Sequence, residues 1–139
     1  MGKGQYLIMQ FLLFFLIGLS VFVAFGNLFK LRADSLSGDI TDSTRKLINS
    51  YISSVIINSF DTCKGCDFVS VSVEIENKTG GYFHELYLNS SGLNVVSQPG
   101  GKNYLSSVHN LNSTLNFSGK SSSAKTIILI KDKNKVEAS

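Results

Sequence analysis

The chain has 139 residues, 43% of them apolar and 17% charged, with a formal net charge of +3, one Pro and two Cys. That length supports one compact domain, and three excess positive charges scattered along it are not the basic patch by which a protein holds nucleic acid. The averages conceal a segregation: residues 4–29 carry no charge, and 19 of the 24 residues from 6 to 29 are apolar. This excludes an ordinary cytosolic globule and describes a hydrophobic segment followed by a polar remainder.

As a helix, 24 residues rise roughly 36 Å, enough to cross a hydrocarbon core of about 30 Å with some tilt. The run exceeds the 7–15 residues typical of a secretory signal core. Gln10, Gly18, Ser20, Gly26 and Asn27 interrupt it, and six of the ten Phe lie inside it. Small residues admit a second backbone while Phe and Leu fill the space between helices, so the composition suits a helix packed on copies of itself as well as one that touches only lipid.

Ahead of this segment stands Lys3-Gly4-Gln5-Tyr6. A short basic leader ending in Lys-Gly, followed at once by an uncharged helix, resembles the class III signal peptide of archaeal type IV pilins and archaellins. The resemblance covers the first 30 residues firmly and the rest only in general plan. It implies cleavage between Gly4 and Gln5 by a prepilin peptidase on the cytoplasmic face, then assembly by pilus machinery into a filament of identical subunits joined through the N-terminal helix. One departure stands out: the Glu found at mature position five in bacterial type IV pilins is replaced here by Met9, with Gln10 next, so docking guided by that carboxylate is not available. A competing pattern is Ala24-Phe25-Gly26, which offers an ordinary signal peptidase the small residues it needs and would release a protein beginning at Asn27. Lys3 on one side and Lys30 and Arg32 on the other leave the membrane orientation unset by charge.

From Leu31 to Phe60 there is no Pro, and Leu36, Ile40, Leu47, Tyr51 and Val55, with Ile48 and Ile52 beside them, recur at helical spacing. This predicts an amphipathic helix whose apolar face covers a sheet, either continuous with the first segment or broken near Ser37-Gly38-Asp39. Past Cys66 the period becomes two. Val69, Val71, Val73 and Ile75 alternate with polar residues, and a turn over residues 77–81 leads to a return strand over 82–88, giving a hairpin. Further strands are predicted over 93–97, over 111–118 with Leu111, Ser113, Leu115 and Phe117 on one face, and over 126–131, the last either central in the sheet or buried on both sides. The tail 131–139 reads as frayed. The expected plan is α+β: a leader (1–4), a hydrophobic helix (5–30), its amphipathic continuation (31–62) and a small antiparallel β head domain (67–139).

Cys63-Lys64-Gly65-Cys66 has the CxxC spacing of three chemistries. A zinc site lacks a second ligand pair, and a thioredoxin-like site needs the pair at a helix N-terminus, whereas here it follows a helix. The favoured reading is a Cys63–Cys66 disulfide across the helix-to-strand turn, with two reduced thiols as the alternative. Asn-x-Ser/Thr occurs at Asn77, Asn89, Asn112 and Asn116, in turns or on a polar strand face beyond the membrane segment, as glycosylation of an exported head requires. His84 and His109 read as ordinary strand or surface residues, and Glu74, Glu76 and Glu85 as carboxylates that could meet across the first hairpin. No catalytic arrangement, metal site or cofactor motif is legible, and the expectation is a non-enzymatic structural subunit, a single-pass membrane protein as precursor with an extracellular head. The alternative is a membrane-anchored surface protein that does not polymerise, stator-like or S-layer-binding, with the same head.

Overall fold

The structure, a computed structural model, describes residues 3–62, 66–122, 124–131 and 135–139. The fold is α+β: helix α1 (Lys3–Thr62) is followed by β1 (Phe68–Glu74), β2 (Lys78–Thr79), β3 (Tyr82–Asn89), β4 (Gly92–Gln98), β5 (Lys102–Ser106), a short 3-10 turn η1 (Leu111–Ser113), β6 (Asn116–Ser121), β7 (Lys125–Lys131) and β8 (Lys135–Ala138). Helical backbone runs through Ser37, Gly38 and Asp39. The chain divides into two compact units, Met1–Ser37 and Gly38–Ser139.

Within the second unit the strands form one sheet in the order β1-β7-β8-β6-β3-β4-β5, with β2 paired to the start of β3. The antiparallel hairpin β3–β4 forms around Ser90-Ser91, where alternating residues and a polar turn make it legible in the sequence. The predicted hairpin of residues 69–75 with 82–88 does not form. β1 pairs instead with β7, Val71 opposite Ile128 and Glu74 opposite Lys125, while β3 lies between β4 and β6. The β1–β7 ladder sets β-branched residues opposite one another, Val69 with Ile130 and Val71 with Ile128, cross-strand pairs that stabilise a sheet.

Four further expectations change. Residues 111–113 form η1 instead of opening a strand, and β6 begins at Asn116. β5 was not foreseen. β7 is central in the sheet, between β1 and β8, but buried on one face only: Ile128 and Ile130 are inside, whereas Ile127 is 38% exposed. The tail is not frayed over 135–139, because β8 runs parallel to β6 and antiparallel to β7, burying Val136 and Ala138, and Ser139 exchanges two backbone hydrogen bonds with Ile127. The sheet is therefore antiparallel except for one parallel pair. Gly119 makes that pair possible: its φ is +124°, and a Cβ there would overlap the Ala138 carbonyl oxygen.

Between α1 and the sheet lies one core. Ile48, Ile52 and Ile56 of the helix meet Val73, Leu86, Leu88, Leu93, Val95, Phe117, Ile128, Ile130 and Val136. The spacing of four places the three Ile in one row on the helix surface. Of the residues that the periodicity singles out, Ile48, Ile52 and Val55 pack on the sheet, whereas Leu36, Ile40, Leu47 and Tyr51 are 64%, 46%, 70% and 52% exposed.

Candidate assembly surface

The first unit presents its side chains outward. All eighteen large apolar residues between Tyr6 and Phe29 are exposed, from 48% at Val21 to 76% at Phe22. The segment is long and apolar enough to cross a membrane. One of its polar interruptions, Ser20, is compatible with lipid: its hydroxyl donates to the Leu16 carbonyl at 2.8 Å, satisfying itself inside the helix. Gly18 and Gly26 leave open space where a Cβ would stand, so another backbone could approach there closely. Gly4 and Gln5, the residues of the expected cleavage, both lie exposed in α1.

In the second unit the helix has an opposite character. Thr41, Arg45, Asn49 and Ser53 are buried, on the row beside the Ile triplet. Asn49 Nδ2 donates to the carbonyl oxygens of Leu93 (3.0 Å) and Tyr104 (3.4 Å), tying α1 to two neighbouring strands, and Ser53 donates to Asn49 Oδ1. The Arg45 guanidinium reaches the Lys102 carbonyl and pairs with Asp42. Burial lowers the Arg45 pKa, with the Tyr82 phenol opposing. The sequence pattern missed this seam because Arg, Asn and Ser on a helix read as a solvated face; the four-residue spacing of Thr41, Arg45, Asn49 and Ser53 was the available signal.

His84 lies beneath the same end of the sheet and is 1% exposed, so it is a strand residue of the interior. Its Nδ1 shares a hydrogen bond with Ser97 Oγ at 2.9 Å, and its Nε2 has no partner among the described residues. Burial lowers its pKa, the nearby Arg45 charge lowers it further, and Glu76 opposes. His109 is exposed in a turn where Val108, His109 and Asn110 all adopt positive φ. Glu74 and Glu85 do not meet across a hairpin, since β1 and β3 are not neighbours in the sheet. Glu74 ends β1, whereas Glu85 accepts from the Tyr87 hydroxyl (2.7 Å) and pairs with Lys120 (3.5 Å).

Of the sequons, Asn89 and Asn116 are exposed and Asn77 is half-buried, its Nδ2 donating to the Ser122 carbonyl. Asn89 Oδ1 accepts from the Ser91 amide in the β3–β4 turn. The Asn112 side chain and Cys63 lie outside the described residues, and Cys66 stands just before β1. Among the described residues no three His, Cys, Asp or Glu side chains gather as a metal ligand set would.

A groove of about 360 Å³ opens between the outer side of α1 and the end of β1, lined by Thr44, Leu47, Ile48, Tyr51, Glu74, Ile75 and Glu76. Ile48 and Ile75 form its buried floor, and Leu47 and Tyr51 its exposed apolar wall.

Comparison of the chain with protein-family models, with curated proteins and with solved structures finds no match. What the fold itself defines is a long apolar N-terminal helix leading into a small β-sheet unit, an arrangement compatible with a pilin-like subunit.

Proposed function

We propose that this chain is the precursor of an archaeal type IV pilin-like subunit, cut after Gly4 and assembled through residues 5–29 into a surface filament. The observation that carries the reading is the exposure of every large apolar side chain from Tyr6 to Phe29. A bilayer can solvate them before assembly, and neighbouring copies can do so afterwards. At about 1.5–3 kcal/mol per large side chain removed from water, eighteen of them amount to tens of kcal/mol gross, enough to hold a filament without covalent links. The sheet unit then forms the outer surface. A Cys63–Cys66 disulfide would fix the passage from helix to sheet in an oxidising compartment, and Asn89 and Asn116 are the sequons best placed for glycans.

Mass spectrometry of the native N-terminus tests the cleavage, and electron microscopy of the same preparation tests the assembly. The reading expects Gln5 or its cyclised form on a filament. A monomer that retains Met1 replaces it with the membrane-anchored alternative, and a soluble protein beginning at Asn27 replaces it with a released domain.

A further inference from the structure

Glu74 and Glu76 lie exposed at the rim of the groove between α1 and β1, beside the apolar wall of Leu47 and Tyr51. An all-hydrocarbon occupant would strip water from these carboxylates without compensating them, which is costly. A fully polar occupant would leave Leu47 and Tyr51 wet. The occupant therefore needs large apolar residues and a cation on the same face. Lys125 stands opposite Glu74 across the β1–β7 ladder, so Glu76 is the carboxylate in greater need of an outside charge.

The chain carries such a segment. Residues 4–29 have no charge, and the next cations are Lys30 and Arg32. At 100° per residue, Leu28, Leu31 and Arg32 share one side of the helix, while Lys30 falls on the opposite side with Asp34 four residues beyond it. Leu28 is 57% exposed, Leu31 66%, and Arg32 is exposed as well. We propose that this groove receives residues 28–32 of a second copy, Leu28 and Leu31 covering Leu47 and Tyr51 while Arg32 pairs with Glu76. The proposal rests on the filament reading and adds to it a contact on the sheet unit that sets which window of a neighbouring helix is engaged. In a partly desolvated rim the charge pair supplies register and selectivity, and the apolar contact supplies the adhesion.

The test uses full-length processed protein in its filaments. Tyr51 is replaced by the photo-reactive residue p-benzoylphenylalanine, and isotopically labelled and unlabelled copies are mixed before assembly. The expected result is a mixed-isotope cross-link from position 51 into residues 28–32. In parallel, Glu76→Lys lowers filament yield by about tenfold, and Arg32→Glu in the same chain restores it. A thermal midpoint of the sheet unit matching the parent's shows that Glu76→Lys acts on assembly; if the midpoint falls, the cross-link on the otherwise native chain decides. Filaments whose cross-links run to lipid, within one copy, to a different protein or to another window overturn the proposal and leave the filament reading standing. So do filaments that form equally well with Glu76→Lys. A processed protein that forms no filament overturns both.

Discussion

Between residues 6 and 29, α1 exposes eighteen large apolar side chains and, among the described residues, makes one side-chain hydrogen bond, from Ser20 to Leu16. Between residues 41 and 53 the same helix buries Thr41, Arg45, Asn49 and Ser53, with Arg45 and Asn49 donating to carbonyls of a neighbouring sheet and Ser53 donating to Asn49. One stretch places grease outside, and the other places polar groups inside. Each inverts the usual globular arrangement, for different reasons. The second stretch has its partners within the fold, so its polar groups are bonded and its Ile row is covered. The first has no such partner, and its stability belongs to whatever medium surrounds it.

The contrast is easiest to break in the finished half. Ile52 is 1% exposed, at the centre of the helix row that meets the sheet. Ile52→Ala should cost about 2–5 kcal/mol, the range for truncating a buried aliphatic side chain, read by urea unfolding of the sheet unit in detergent. A loss under about 1 kcal/mol would mean that this face of α1 does not pack as described. The counterpart in the unfinished half is Leu16→Arg. A guanidinium at mid-membrane costs about 2.5–3.5 kcal/mol of insertion free energy, so the washed membrane fraction should fall sharply while the unfolding midpoint of the sheet unit stays put. If the two substitutions each affected both readouts, the division between the halves would be wrong.

Smaller, but more diagnostic, is Asn49→Ala. Removing the amide leaves two strand carbonyls without that donor, at about 1–3 kcal/mol if they stay dry. Hydrogen exchange should quicken in β4 and β5 ahead of β1 and β7, because Asn49 reaches only the former pair. Uniform quickening would assign Asn49 a general packing role and remove the seam from the account.

The sequence displayed the class of fold and the hydrophobic segment, because composition and period are local properties. It misled where partners are chosen at a distance. In residues 36–56 the apolar residues occupy two stripes roughly 130° apart: Leu36, Ile40, Leu47 and Tyr51 on one, Ile48, Ile52 and Ile56 on the other. Both are apolar enough to pack, and the first runs further along the helix. The sheet takes the second because its flanking Arg45, Asn49 and Ser53 can reach carbonyls of β4 and β5 or one another, information that resides in strands 40 to 60 residues away. The same applies to β1, whose alternation was legible while its pairing with β7 was not. The parallel β6–β8 pair depends on Gly119 meeting Ala138, which no local period encodes. The groove was hidden for the same reason, since its wall is the stripe left over once the other has packed.

The last expectation concerns the buried end of the seam, where the effect is absent at neutral pH and grows only in acid. His84 has its pKa lowered by burial first and by Arg45 second, with Glu76 opposing, and around it stand Ser97 on β4 and the Asn77 carbonyl that accepts its backbone amide. A base whose folded pKa lies below its unfolded value of 6.5 binds its proton more readily in the unfolded chain. Its neutral form is therefore compatible with full stability above pH 6.5, and stability declines as the pH falls below that value toward the folded pKa. Glu85, held below its ordinary pKa by the Tyr87 hydrogen bond, acts lower on the scale and does not obscure this window. His84→Gln keeps a polar side chain that can bond Ser97 and removes the titration, so its unfolding midpoint should stay nearly level between pH 6.5 and 5 while that of the parent drops. Parallel curves for the two proteins would show that the interior beneath Arg45 admits a proton without cost, and that water or a carboxylate already reaches the imidazole there.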